Sequence, residues 1–164
     1  MESFQITKTL SKVVTQMELE ETDDIRTMIK DSLRQDLEGI FIKEGYVIPD
    51  TLRVVDMSAG HVISESLSGD LHYNVMIEAK VHRAKPGDIL KGVIKDKNKF
   101  GIHLIVEPLD IILGYVHHKN QDGLKEMEIG DEIEIVIATS RFQIGDKRQR
   151  VVAIWKEDDN AKHY

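Results

Sequence analysis

The chain has 164 residues, 41% of them hydrophobic, with a formal net charge of −7 and no cysteine. That much apolar material suffices for one medium or two small folded cores, and the acidic charge disfavours a protein that wraps duplex DNA through phosphate neutralisation alone. Without cysteine there is no disulfide framework, thiolate zinc site or cysteine nucleophile. Neither a signal-peptide pattern nor an apolar run of about 18 residues is present, so we expect an intracellular protein without membrane contact.

The first predicted domain spans residues 1–83. Its opening segment, FQITKTLSKVV, alternates like a strand. Apolar residues then recur at helical spacing, at Ile25, Met28, Ile29, Leu33 and Leu37. Thr22 or Asp23 is the expected N-cap and Gly39 the stop. GYVIP, LRVVDM, GHVISES and DLHYNVMIEAKVH follow as predicted strands, so we expect an α+β domain with one helix on a small antiparallel sheet.

A Pro-Gly pair after Ala84 marks the predicted domain boundary. Residues 84–158 contain five short predicted strands: GDILKGVIKD, FGIHLIVE, IILGYVHH, GDEIEIVIATSRF and KRQRVVAIWK. Strands of this length, with glycine at the bends, predict a five-stranded OB-fold β-barrel, although composition alone also permits an SH3-like barrel. Residues 159–164 are expected to form a frayed tail.

No motif for catalysis or for a cofactor is present. Gly-x-Ser-x-Gly, a phosphate-binding Walker loop and the dinucleotide fingerprint are all missing from the sequence. Of the seven histidines, His117 and His118 are neighbours and would point to opposite faces of a strand, which opposes a shared metal ion. We therefore expect no catalytic residue, no cofactor and no metal site.

One set of residues in the predicted barrel has the composition of a single-strand binding face. Such faces stack bases on aromatic or imidazole rings while lysine and arginine follow the phosphates. The stacking candidates are Phe100 and His103 on one predicted strand and His117 on the next, and the cationic candidates are Lys95, Lys97, Lys99, Arg148 and Arg150. The alternative is that Phe100 fills the bottom of the barrel and the lysines are ordinary solvated residues.

The order of short motifs in the second domain resembles a known family. The motifs are Gly87-Asp88, Gly92-Val93, Phe100-Gly101, Gly114-Tyr115-Val116-His117 and Gly130-Asp131. In this order they resemble the OB-fold RNA-binding domain named after the first protein of the bacterial small ribosomal subunit. His103 stands where that family usually has a second aromatic ring.

A second resemblance covers nearly the whole chain. The segments LEGIFIKEGYVI, AGHVIS and NVMIEAKVHRAKPGDILKGVI resemble the stalk subunit of multisubunit DNA-directed RNA polymerases. This family comprises the seventh subunit of eukaryotic polymerase II and its archaeal equivalent. The family has the same succession of elements: a strand, a helix ending in Glu-Gly, a Gly-Tyr strand and an Asn-Val strand leading into the barrel.

The resemblance implies a non-catalytic subunit whose amino-terminal tip domain docks on RNA polymerase core subunits. It also implies a stalk partner subunit, of the type of the fourth subunit of polymerase II and its archaeal equivalent, and contact between the barrel and the single-stranded RNA transcript. By position, the residues expected to face the core are the loop from Gly39 to Gly45 and the turn Ala59, Gly60, His61, Val62 and Ile63.

Two other functions stay open at this point. The same barrel fits a free-standing RNA-binding module of translation or RNA decay, and it also fits a protein-interaction domain that never meets RNA. The stalk resemblance suits an archaeal, a nuclear or a large-DNA-virus polymerase. The expected location is the cytoplasm for an archaeal protein and the nucleus for a eukaryotic one. For a viral protein it is the virion or the cytoplasm of the infected cell.

Overall fold

The computed structural model describes residues 2–63 and 67–164. The chain divides into two compact units. We call them the sheet unit, Ser3–Gly39 with Val47–Val81, and the barrel unit, which includes Ile40–Tyr46 and His82–Tyr164. Within the described part of the chain, no helix is long and apolar enough to cross a membrane.

The first sheet contains six strands: β1 (Glu2–Val14), β2 (Phe41–Ile42), β3 (Gly45–Val47), β4 (Arg53–Met57), β5 (His61–Val62) and β6 (Leu71–Arg83). They are ordered β1-β6-β3-β2, and β4 and β5 also pair antiparallel with β6. Along β6, Tyr73, Val75 and Ile77 are buried and the residues between them are more exposed. This alternation gives the sheet one apolar face. The predicted strand over 60–66 is described only to Ile63, and residues 64–66 lie outside the described residues.

Two helices precede the sheet's short strands, whereas one was predicted. Helix α2 (Ile25–Leu37) buries Ile29 and Leu33 of the predicted apolar stripe. Its N-cap is Asp24, whose carboxylate accepts from the Thr27 N–H, so the choice of Thr22 or Asp23 was wrong. Helix α1 (Gln16–Glu21) starts with a capping box, in which Thr15 and Glu18 exchange backbone and side-chain hydrogen bonds.

The second sheet is a closed five-stranded barrel formed by β7 (Ile89–Lys97), β8 (Gly101–Val106), β9 (Leu109–Gly114), β10 (Glu132–Arg141) and β11 (Gln149–Trp155). The order around the barrel is β7-β8-β9-β11-β10, with β10 pairing back to β7 and β11 running parallel to β9. This crossed order is an OB-type Greek-key arrangement. Aliphatic side chains such as Ile94, Leu104, Ile111 and Ile135 fill the interior.

The predicted third barrel strand ends earlier than expected. After Gly114 the chain forms a 3₁₀ turn, Tyr115–His117, and a short helix α3, Gln121–Glu126. His117 therefore does not lie on a strand, and its predicted position on the strand next to His103 was wrong.

The carboxyl-terminal residues are packed rather than frayed. Residues Asp159–His163 form a 3₁₀ turn in which Ala161 is buried. The buried Asp158 carboxylate accepts hydrogen bonds from the N–H groups of Asn120, at 2.8 Å, and Asn160, at 2.9 Å. One carboxylate thus ties the terminal turn to the start of α3.

The surroundings of Asp158 also set its protonation. Burial by itself raises the pKa of the Asp158 carboxyl, but backbone N–H groups of Asn120, Asn160 and Lys119 favour the charged form and bring its pKa below the usual value. The ionised carboxylate therefore stabilises the fold above the unfolded-chain pKa of about 3.9. This contribution disappears as the pH falls through the lower pKa of the folded protein.

We predict that Asp158→Asn lowers the free energy of unfolding by about 1 to 3 kcal/mol at pH 7, because its amide nitrogen faces backbone donors in a buried site. The difference from the wild type should shrink as the pH falls below about 3.9, because the wild type then progressively loses the contribution of the ionised carboxylate. Urea unfolding at pH 7 and at several pH values below about 3.9 measures this difference in the free energy of unfolding. Asp159→Asn is the matched control, since that exposed side chain lies 3.5 Å from Lys162 at the surface. An equal pH dependence for the two variants would contradict the assigned role of Asp158.

Candidate nucleic-acid interface

The outer face of β8, β9 and β11 combines apolar and charged side chains. His103, Ile112 and Val152 lie side by side on these three strands, because His103 pairs with Ile112 and Ile112 with Val152. In the next row of outward-facing residues, Asp110 of β9 pairs with Arg150 of β11. Strand alternation produces this face, since the neighbours of these residues point into the aliphatic core.

An open groove of about 1570 Å³ runs along β9, β11 and the end of β10. Its floor includes the aliphatic residues Ile112, Val116 and Val152. Four cationic side chains and two carboxylates also line it: Arg141, Lys147, Arg148, Arg150, Asp110 and Asp146. The excess of cations is local, because the whole chain is acidic.

Phe100 projects from the loop between β7 and β8. Its side chain is 70% exposed, so the alternative that it fills the bottom of the barrel is wrong. The Asn98 carboxamide oxygen fixes the loop by accepting from the N–H groups of Phe100, at 2.8 Å, and Gly101, at 3.1 Å. A side chain at Gly101 would place its Cβ 2.2 Å from the Leu113 carbonyl oxygen, so only glycine fits there. An exposed ring held by a fixed backbone is suited to stacking.

The three candidate lysines beside Phe100 have different surroundings. The Lys99 ammonium lies 5.0 Å from the centre of the Phe100 ring, and Lys95 is exposed on β7. Lys97 instead donates to the carbonyl oxygens of Lys125 and, at 2.7 Å, Met127. Because its ammonium holds the carboxyl-terminal end of α3, Lys97 is less suited to phosphate contact than Lys95 and Lys99.

Carboxylates accompany the candidates His103 and Arg148. The Asp110 Oδ1 atom lies 3.3 Å from His103 Nε2 and 3.8 Å from Arg148 Nη1. A second carboxylate, that of Glu107, accepts from Arg148 Nη2 at 2.6 Å. Arg150 is exposed, and its register partner on the neighbouring strand β10 is Arg141. The structure thus brings Arg148 and Arg150 together in the groove and places His103 at its edge.

The two adjacent histidines have separate environments. His117 is exposed at the groove, where its backbone carbonyl accepts from the Asn160 side chain at 2.8 Å. His118 is buried, with Nδ1 2.7 Å from the Gly114 carbonyl and Nε2 accepting from the Trp155 N–H at 2.9 Å. His118 is therefore structural. Across residues 2–63 and 67–164, no cluster of three or more His, Asp and Glu side chains could hold a metal ion.

The residues expected to face a polymerase core lie in both units. Gly39 is half-buried directly after α2, and its N–H donates to the Val47 carbonyl at 2.9 Å. Gly45 is buried with a φ of 148°, and a Cβ there would lie 2.5 Å from the His82 carbonyl oxygen. The turn from Ala59 to Ile63 is exposed throughout, with Val62 54% and Ile63 40% exposed. The side chains of this turn are exposed, whereas Gly45 has a structural role.

Arg141, Lys147 and the aliphatic groove floor were not among the predicted site residues. The segment SRFQIGDKRQR, residues 140–150, is rich in cations, so its charge was visible in the sequence. The position of this segment at the rim of a groove follows from the pairing of β11 with β9, which cannot be read from the sequence.

Comparison with known proteins identifies no family. No family model matches the chain, and no curated protein matches it. Among solved structures, an uncharacterized protein of Methanocaldococcus jannaschii is 23% identical over 45% of this chain and 95% of its own, with a TM-score of 0.38. GSP13 from Bacillus subtilis is 13% identical over 45% of this chain and 57% of its own, with a TM-score of 0.37. The OB-type assignment of the barrel rests on its strand order.

Proposed function

We propose that this protein binds single-stranded RNA through the outer face of its barrel as a non-catalytic stalk subunit of a DNA-directed RNA polymerase. The observation that supports RNA binding best is the exposed Phe100 ring with the Lys99 ammonium 5.0 Å from its centre. Stacking on such a ring tolerates any base, and the ammonium favours the nearby phosphate. Lys95, Arg148 and Arg150 extend the cationic surface towards the groove.

The polymerase part of the proposal has separate support. The resemblance to the stalk family is co-linear over both predicted domains, and the turn equated with the docking turn of that family is exposed and ends in Val62 and Ile63. Exposed aliphatic side chains on a short turn are suited to a protein contact, because covering them removes apolar surface from water. The tip domain then docks on polymerase core subunits, a stalk partner subunit packs beside it, and the barrel meets the emerging transcript.

We predict that Phe100→Ala weakens binding of a short single-stranded RNA by about 1 to 3 kcal/mol, because one stacking contact is lost. The double variant Lys95→Glu and Lys99→Glu should bind more weakly still at low salt and show a shallower dependence of affinity on salt. Fluorescence anisotropy at several salt concentrations measures both effects. Lys97 is left unchanged, since its ammonium is needed by α3.

The matched control is Arg26→Glu with Lys80→Glu, which makes the same change in net charge at two exposed cations of the sheet unit, outside the proposed RNA face. This control should keep the wild-type affinity and salt dependence. If the control and the Lys95/Lys99 variant lose affinity equally, RNA is attracted by overall charge and not by this face. If the wild type does not bind RNA at all, the RNA-binding part of the proposal is wrong.

We predict that the tagged wild-type protein recovers the large RNA polymerase subunits in stoichiometric amounts, and that Val62→Asp with Ile63→Asp loses them. A buried carboxylate without a partner opposes docking. Mass spectrometry of the purified complexes measures recovery. The control is Val13→Asp, which alters an aliphatic residue of similar exposure on β1. Recovery of ribosomes or exoribonucleases without polymerase would instead support the free-standing RNA-binding module.

A further inference from the structure

The loop Phe142–Arg148, which we call the basic loop, joins β10 to β11 and forms one rim of the groove. It supplies Lys147 and Arg148, two of the four cations that line the groove. A loop that carries phosphate-binding cations is effective only if its backbone is held in place, because ordering it on binding costs free energy.

The hairpin β2–β3 holds the backbone of the basic loop. The Phe41 N–H donates to the Asp146 carbonyl at 2.7 Å, and the Gly145 N–H donates to the Phe41 carbonyl at 2.8 Å. Phe41 thus faces two consecutive loop residues, which is the hydrogen-bond pattern of a β-bulge, and Gly145 has the positive φ, 94°, that its first position requires. Within the loop, the Asp146 carboxylate also accepts from the Gln143 N–H at 2.8 Å.

Ring packing adds a second link between the hairpin and the loop. Phe41 is fully buried, and its ring centre lies 4.8 Å from that of Phe142 and 5.4 Å from that of Tyr46. Both distances lie within the range of favourable aromatic pairs. Phe41 thus sits between a hairpin residue and the first residue of the basic loop.

The Glu107 carboxylate lies near both the hairpin and Arg148. Burial raises the pKa of the Tyr46 phenol, and the nearby Glu107 carboxylate raises it further. That same carboxylate accepts from Arg148 at 2.6 Å. The same carboxylate thus raises the pKa of Tyr46 and binds Arg148.

We propose that Phe41 is a positioning residue for RNA binding: it does not line the groove, but it fixes the basic loop so that Lys147 and Arg148 face the phosphates. This inference rests on the proposed RNA-binding function. Phe41 belongs to the loop that the stalk resemblance assigns to core docking, so the hairpin that supports the groove is also the segment expected to meet a partner.

The test compares Phe41→Leu with the wild type in single-stranded RNA binding across a salt series. Leucine keeps an apolar side chain but removes both ring contacts. Each phosphate contact contributes a slope of about −0.7 for single strands, so losing the two loop cations should make the slope shallower by about 1.4. At 0.1 M salt this corresponds to a loss of affinity of roughly 5-fold for each contact.

Two core variants, Ile135→Val and Ile135→Ala, control for general destabilisation, because Ile135 is fully buried in the barrel and does not line the groove. They should keep the wild-type salt slope even where they lower the unfolding temperature more than Phe41→Leu does. If Phe41→Leu does not fold, Phe142→Leu removes the same ring contact from the loop side and should show the same shallower slope.

Hydrogen exchange of the Gly145 amide in the absence of RNA is the second measurement. It should be faster in Phe41→Leu than in either Ile135 variant. If the wild type binds RNA but Phe41→Leu and Phe142→Leu both keep its dependence of affinity on salt, this inference is overturned and the proposed function remains intact. A wild type that binds no RNA overturns both, and unchanged Gly145 exchange overturns the positioning role.

Discussion

Closure of the barrel is the constraint on which the rest of this structure depends. β7, β8 and β9 form one antiparallel meander and β10 and β11 form a second pair, so two junctions must close the sheet: β10 with β7 and the parallel contact of β11 with β9. Closure forces every other side chain into an aliphatic interior and leaves the alternate set outside. The parallel junction also brings Arg150 beside Asp110 and thereby forms the groove from segments about 40 residues apart in the sequence.

Charge on the outside of the barrel is arranged in opposing pairs. Asp110 lies near both His103 and Arg148, and Glu107 binds Arg148 more closely. A phosphate that approaches Arg148 must compete with these carboxylates, which lowers the net gain from the contact. Phe100 and Lys99 lie on a different loop, where the Lys99 ammonium faces a ring and not these two carboxylates. Under the proposed function, RNA on this face would be retained mainly by stacking on Phe100 and could still slide.

Periodicity in the sequence was sufficient to predict those helices and strands that bury one face. The stripe of Ile29 and Leu33 predicted α2, and alternation in the NVMIEAKV segment predicted the buried side of β6. The succession of the barrel strands along the chain was also predictable, because glycines and short polar turns separate them. The capping box of Thr15 and Glu18 was a readable signal for α1 that periodicity alone does not provide. Features that depend on distant contacts were not predictable: Lys97 resembles Lys95 and Lys99 in sequence, but only the fold brings the end of α3 within reach of its ammonium.

The bridge between Phe41 and the basic loop has a thermodynamic consequence beyond holding the loop. The basic loop can be bonded to Phe41 or free of it. If a ligand of the hairpin binds these two states with different affinity, it must also change the affinity of the groove for RNA under the proposed function. Linkage requires the effect to be reciprocal, so RNA in the groove changes the affinity of the hairpin for its ligand by the same factor. Attachment through the hairpin and occupancy of the groove would then be two coupled equilibria of one unit, with Phe41 as the residue through which they communicate.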